Sequence, residues 1–221
     1  MKKILIILCL VLTAACSSEP PTYNDEIRVF ISWPKTHYKP FYWWDEKAKT
    51  FEGIDADVIK AILDDAKCKY IFVSPNVVSK QPRIDYLTKD LADVAIRCFS
   101  ITESRKKLIG FSLPYYTDGL CAMVHKKSTI QNLEDLQGKK IIAYDNTTGF
   151  HFIKDKKITQ QLVNGYDFDD EPGTLLNLRK VDAYVNDKSY LEVRQKAFKD
   201  VRVLNNTFNT EPWGIGIQKV N

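Results

Sequence analysis

Ser100-Ile101-Thr102-Glu103-Ser104-Arg105 and, after five residues, Phe111-Ser112-Leu113-Pro114-Tyr115-Tyr116 decide how the rest of the chain is read. The first segment follows directly on residues 93–99, an apolar run expected to be a buried strand. Hydroxyls and an arginine at a strand end suit a carboxylate. The guanidinium fork grips two oxygens, and Ser and Thr add short hydrogen bonds. The same residue types also cap helices, so capping of a following helix competes with ligand binding at this point.

Outward from this stretch the chain alternates between strand and helix patterns. Residues 27–32 read as a first strand, and 36–45, aromatic and Pro-containing, as a loop. In 54–67, Ile54, Val58, Ile59, Ala61, Ile62 and Leu63 fall close to helical spacing. Gly53 marks the start of that helix, and Asp55 and Asp57 sit in its first turn, where the helix dipole favours acids. A strand is expected at 69–73, a short helix at 84–89 and an extended piece at 109–111. Downstream, 120–125 reads as a strand, 130–136 as a short helix and 140–144 as a strand before a turn at 145–149. A helix at 150–164, a strand at 166–168, a helix at 172–179 and strands at 183–186, 201–204 and 213–218 complete the pattern. Such alternation implies a mostly parallel α/β architecture with ligand sites at the C-terminal ends of the strands.

Three further constellations lie where such sites form. Thr147-Thr148-Gly149 follows a strand and precedes a helix, where backbone N–H groups and hydroxyls can receive an anion, or where Thr simply caps. Asp187 ends the strand at 183–186; it is either a turn residue or, at the mouth of a cleft, an ammonium partner. Tyr38, Phe41, Tyr42, Trp43 and Trp44 offer flat apolar walls, or else a small core beneath a loop. No phosphate loop, dinucleotide fingerprint, His-Glu-x-x-His or Gly-x-Ser-x-Gly elbow occurs. His37, His125 and His151 are far apart and are expected at the surface or in packing, so neither a metal nor a cofactor is expected.

Composition sets the outer bounds. The 221 residues are 44% hydrophobic and 27% charged, with nine Gly and nine Pro, a globular profile. Thirty-two basic against twenty-eight acidic side chains give +4. Removal of Lys2 and Lys3 with an export signal leaves about +2, and no basic stripe interleaves with aromatics, so no nucleic acid is expected as a partner. Met1-Lys2-Lys3, the apolar run 4–12 and Thr13-Ala14-Ala15 have the order of a signal peptide, and the run is too short to span a bilayer. Leu12-Thr13-Ala14-Ala15-Cys16 resembles a bacterial lipoprotein box, with Thr13 in place of the usual Leu. That resemblance implies a lipidated (palmitate-bearing) Cys16 at the head of a polar, Pro-rich tether. Cys9 leaves with the signal, so Cys68, Cys98 and Cys121 remain. An odd number allows at most one disulfide; the default is three buried thiols, with a Cys98–Cys121 bridge as the alternative.

The order of these pieces resembles the bacterial solute-binding protein family 3, the amino-acid-binding receptors of ABC importers, over residues 26–220. Tyr38-Lys39-Pro40-Phe41 is similar to the family's Tyr-x-Pro-Phe loop, and Gly53-Ile54-Asp55-Ala56-Asp57-Val58 to its Gly-Phe-Asp-Val-Asp-Leu signature. Ser100 to Arg105 with Phe111 to Tyr116 is similar to Ser-Ile-Thr-x-x-Arg…Phe-Ser-x-Pro-Tyr-Tyr. Leu136-Gln137-Gly138-Lys139, Val181-Asp182-Ala183 with Asp187, and Pro212-Trp213-Gly214-Ile215-Gly216 match later family segments.

The resemblance implies a two-lobed periplasmic-binding-protein type II fold, α/β, with a hinge of two crossing strands. Its divisions would be a signal peptide 1–15, a lipidated tether 16–25, lobe 1 at 26–117, lobe 2 at 118–207 and a return strand at 208–221, with the family's C-terminal helices of lobe one missing. Carried over residue by residue, Tyr38 would wall the side-chain pocket, and Ser100 and Thr102 would bind the ligand backbone. Arg105 would clamp the α-carboxylate with Thr147 and Thr148 opposite, and Asp187 would hold the α-ammonium. Asn146 replaces the Gly of the usual Gly-Thr-Thr turn. Arg97 and Cys98 stand where the family is usually small; Arg97 either selects an acidic or polar side chain or points to solvent, and with Phe41 it is the candidate specificity residue.

The expected function is extracytoplasmic binding of an α-amino acid by a monomer. The receptor would be lipid-anchored in the periplasm or at the cell surface and would deliver to an ABC permease of the inner membrane. Two alternatives stand beside it. One is a cyclohexadienyl-dehydratase-like enzyme, which needs a general acid over the substrate ring; only Glu52, Glu103 and His37 offer one. The other is a non-transport sensory binding lipoprotein.

Overall fold

The computed structural model describes residues 26–32, 38–73 and 83–219. The signal segment, Cys16 with its tether, and His37 lie outside them. The chain divides into two compact units. One holds the residues up to Tyr116 and from Trp213 onward, the other Thr117–Pro212.

In the first unit β1 (Ile27–Phe30) runs between the elements that follow it. β2 (Trp43–Asp45) and β3 (Thr50–Glu52) form an antiparallel hairpin, so the aromatic loop ends in a strand. α1 (Ile54–Asp65) buries Ala56, Ile59 and Leu63 on one face. Gly53 starts it at φ 106°, and a Cβ there would lie 2.6 Å from the Phe41 carbonyl oxygen, so only glycine fits. β4 (Tyr70–Val73), α2 (Arg83–Thr88) and β5 (Val94–Ala95) follow. The strand expected over 93–99 keeps its ladder only to Ile96, whose N–H reaches the Phe30 carbonyl. Cys98 turns out of the sheet at φ 46°, its N–H donating to buried Asp55 at 3.0 Å. α3 (Glu103–Leu108) and β6 (Gly110–Phe111) lead to β7 (Tyr116–Asp118), where the chain passes to the second unit.

The second unit is built on β8 (Leu120–His125), whose first five residues are all buried. After it a helix was expected at 130–136, but only a 3-10 turn forms, at Glu134–Leu136. The Asp135 carboxylate accepts from the N–H groups of Gln131 and Asn132, a local arrangement that competes with helix. β9 (Ile141–Ala143) and α4 (Thr148–Asp155) come next. The helix expected to run to 164 stops here. Lys157 takes a left-handed φ of 52°, the Ile158 N–H closes on the Ile153 carbonyl, and β10 (Leu162–Asn164) joins the sheet. The strand expected at 166–168 is instead a 3-10 turn at Gly165–Asp167, its Tyr166 N–H accepted by the Asn164 side chain. α5 (Pro172–Asn177), β11 (Ala183–Asp187), α6 (Lys188–Arg194) and β12 (Val201–Val203) complete the unit.

The chain returns through β13 (Glu211–Trp213) to β14 (Gly216–Ile217). The single strand expected over 213–218 is thus two. Between them the Gly214 N–H leaves for the Phe99 carbonyl.

The first unit's sheet has the order β4-β1-β5-β14-β6, parallel through β5, with β14 antiparallel to both neighbours. The second has the order β10-β9-β11-β8-β12, with β8 antiparallel to β11 and β12. Phe30, Leu87, Phe99 and Ile109 lie at the core of the first. Met123, Ile142, Ile153, Leu176 and Leu191 lie at that of the second. Cys98 and Cys121 are buried, Cys68 is half-buried, and all three are free thiols, so the Cys98–Cys121 bridge does not form.

Candidate functional site

On the first unit the candidate groups gather where the chain leaves β5. Ser100 is 3% exposed, and its backbone bridges to Trp213. One Arg105 Nη1 donates to the Ser100 carbonyl at 2.7 Å, and the guanidinium lies 4.8 Å over the Phe99 ring. The strand end and the first turn of α3 therefore fix that cation in place. Thr102 Oγ1 accepts from the Arg105 N–H at 3.2 Å and lies 3.0 Å from Ser104 Oγ. Thr102 thus performs the capping role that competed with ligand binding in the sequence.

Arg97 points elsewhere, to the aromatic loop. Its Nε donates to the Tyr42 hydroxyl at 2.8 Å, and its guanidinium lies 5.1 Å from that ring's centre. Tyr38 and Phe41 are buried, their rings 5.0 Å apart, and Phe41 stands 5.0 Å edge-on to both Tyr116 and Trp213. These rings form a small core beneath their loop as well as a wall beside Arg97.

Under this surface lies a carboxylate that sequence reasoning placed only in a helix's first turn. Asp55 is fully buried and accepts from the Tyr115 hydroxyl at 2.8 Å as well as from Cys98. Burial raises its pKa to about 6, and the hydrogen bonds from Tyr115 and Cys98 hold it back from rising further. The same burial, with the neighbouring carboxylate, pushes the Tyr115 phenol well up.

On the second unit the turn after β9 carries the two threonines. Thr147 caps α4: its hydroxyl donates to the Tyr144 carbonyl at 2.7 Å and accepts from the Phe150 N–H at 3.3 Å. Thr148 Oγ1 donates to Glu211 Oε2 at 2.9 Å. Glu211 is 6% exposed and also accepts from Asn209 Nδ2 at 3.2 Å. Sequence reasoning missed it; the only signal was an acid immediately before the Pro212-Trp213 return segment. Gly149 allows the turn to sit against β11, since a Cβ there would be 3.1 Å from the Val185 carbonyl oxygen. Asp187 ends β11 opposite Leu120, its own N–H donating to Asn186 Oδ1 at 2.8 Å. Thr147, Thr148 and Asp187 therefore share the C-terminal end of this sheet. Ser100, Thr102 and Arg105 form a separate group on the first unit.

Among the described residues no group of three or more His, Cys, Asp or Glu side chains is arranged to hold a metal ion. No helix among them is long and apolar enough to cross a membrane.

The sequence profile of the bacterial extracellular solute-binding proteins, family 3, matches residues 33–209. A glutamine-binding protein of Geobacillus stearothermophilus is 31% identical over 171 residues, 76% of this chain and 64% of that protein. The chain thus spans a little under two thirds of that relative's length. An ancestral arginine-binding protein bound to arginine has a similar fold, with a TM-score of 0.71 and 31% identity over 89% of this chain and 85% of that one. An ancestral amino-acid-binding protein described as a precursor of cyclohexadienyl dehydratase gives a TM-score of 0.67 and 26% identity over 88% of this chain and 82% of that one.

Proposed function

The chain belongs to the bacterial extracellular solute-binding proteins, family 3, and from that membership we propose that it binds a polar α-amino acid outside the cytoplasm and delivers it to an ABC importer. The arrangement of Arg105 carries this reading. Its guanidinium is held by the Ser100 carbonyl and the Phe99 face beside two hydroxyl residues, as a receptor for a carboxylate requires. The ligand's carboxylate goes to Arg105 with Ser100 and Thr102, and Thr148 supports it from the second unit. Asp187 takes the ammonium group. Thr147 acts by holding the start of α4. Tyr38 and Phe41 supply apolar wall, and Arg97 discriminates among ligand side chains.

Cys16 anchors the chain through its lipid at a bacterial membrane, in the periplasm or on the cell surface, and the permease is its membrane partner. The glutamine- and arginine-binding relatives make those two amino acids the first ligands to try. Binding without turnover is the reading adopted over a dehydratase. The dehydratase-related structure is itself that of an ancestral amino-acid-binding protein.

A thermal-shift screen of the purified protein against the common amino acids tests the proposal. A ligand at about a hundred times its Kd adds about 2.7 kcal/mol to stability, a clear rise in Tm. One selective α-amino acid is the expected outcome. A cooperative melt unmoved by every amino acid overturns it.

A further inference from the structure

The second unit is electrically polarised along its strands. β9, β10, β11 and β12 all begin at one end of the sheet, and β8 ends there. Four connections cover that end: residues 126–140, 156–161, 178–182 and 195–200. They carry ten Lys or Arg against four Asp or Glu. The connections at the opposite end, 144–147, 165–171 and 204–210, carry five acids and no Lys or Arg, although Lys188 reaches the Asn205 carbonyl there and Asp170 and Glu171 turn back to pair with Lys180 and Arg194. Thr147, Thr148 and Asp187 belong to that acidic end. A chain of net charge +4 thus concentrates more than its whole excess of positive charge on one end of one unit.

The basic end is broad and built. Five strands about 4.8 Å apart spread the cations over roughly 20 Å. Lys126, Lys127 and Arg179 are exposed. The Arg202 guanidinium donates to the carbonyls of Ser128 and Ile130, fixing the connection that bears Lys126 and Lys127. Lys127, Ser128 and Arg179 share the lining of a shallow depression. Two of the four acids are turned to the backbone: Asp182 accepts from the Lys140 N–H, and Asp135 from those of Gln131 and Asn132. Among the described residues, Lys180 alone of these cations makes an ion pair, with Asp170 at 3.6 Å.

We propose that this end of the second unit is a docking surface for an anionic phospholipid membrane. The chemistry selects that partner. A protein interface needs an apolar centre, yet Leu178 is the one large apolar side chain exposed on the described second unit. Single-stranded nucleic acid needs aromatic platforms, and the only aromatic in these four connections is half-buried Phe198. A broad, exposed cationic face matches lipid headgroups, whose attraction accumulates with each Lys or Arg and decays within a Debye length. The repelled acidic end would face away, leaving Thr148 and Asp187 toward solvent. The inference rests on the exported, membrane-anchored reading only for the nearness of a membrane.

Co-sedimentation of the full chain with vesicles supplies its own membrane, so failure of the docking and failure of the anchor are distinguishable. The vesicles are phosphatidylcholine alone or with one quarter phosphatidylglycerol, at low and at high salt. Expected is binding that rises with phosphatidylglycerol and collapses at high salt. A Lys126→Glu, Lys127→Glu, Arg179→Glu variant should bind those vesicles at least about tenfold more weakly. A Lys47→Glu, Lys49→Glu, Lys67→Glu variant on the first unit should keep its binding. Unchanged Tm values establish that both variants fold. Equal loss in both variants makes the attraction one of net charge and overturns the proposal. So does a patch variant that binds like the wild type, which leaves the apolar leader as the cause. Patch-dependent capture by polyglutamate without capture by vesicles reassigns the face to an acidic protein and overturns it too.

Discussion

Arg105 and Asp55 both bond to the chain between Cys98 and Ser100, and opposite physics governs them. Arg105 is half-exposed, oriented by a backbone carbonyl and a ring face, so its truncation removes a ligand partner and little packing. Arg105→Ala is expected to weaken amino-acid binding by about 2–4 kcal/mol, the scale of a charge partner left unpaired, as read by calorimetric titration. An unchanged Kd would remove Arg105 from the site. Asp55 is buried, with a pKa raised to about 6. The folded chain holds that proton more tightly than the unfolded one, so ionisation subtracts stability. The loss begins near pH 4, where the unfolded carboxyl ionises, and is complete above about pH 6. Two units of pKa correspond to about 3 kcal/mol. Relative to Asp55→Asn, the wild type should therefore gain about that much as pH falls from 7 to 4 in urea unfolding. A difference that does not vary with pH would place the titration elsewhere. Arg105 was legible in the sequence because a cation after hydroxyls at a strand end has a local meaning. The role of Asp55 was not, because its partners Cys98 and Tyr115 are 43 and 60 residues away.

Elements were legible where burial is continuous along the chain. β8 and β11 read as apolar runs because they lie inside their sheet, paired on both edges and covered by helices. The boundary between α4 and β10 was not, since an amphipathic pattern continues past it and only the left-handed Lys157 ends the helix. Positions with one backbone solution give the sharpest tests. Gly53→Ala would place Cβ 2.6 Å from the Phe41 oxygen and 2.8 Å from that of Pro40, both backbone atoms, at a φ of 106°. The backbone strain alone should cost about 1–3 kcal/mol, seen as a lowered urea midpoint. The two threonines at the start of α4 should separate. Thr147→Ala removes a cap and should cost about 1 kcal/mol of stability with a small effect on affinity. Thr148→Ala should lower the affinity, and it should also cost about 1–3 kcal/mol of stability because its hydroxyl holds buried Glu211. Loss of affinity on Thr147→Ala equal to that on Thr148→Ala would contradict this division.

At the scale of the whole molecule, each unit has its own sheet and its own core, and the chain crosses between them within β7 and β13. The proposed ligand groups are divided the same way, Arg105 with Ser100 on one unit and Thr148 with Asp187 on the other. A free amino acid is a zwitterion, with one carboxylate and one ammonium. A receptor that assigns those charges to Arg105 and Asp187 uses both residues for one ligand, and each contributes its own share of the affinity. Titration should therefore give one ligand per chain. Arg105→Ala and Asp187→Asn should each weaken that same single event by about 2–4 kcal/mol, although they lie on different units. If the units bound independently, either variant would leave the other unit's binding intact at wild-type affinity. An isotherm that splits in that way would dissolve the shared site while leaving the fold and the family untouched.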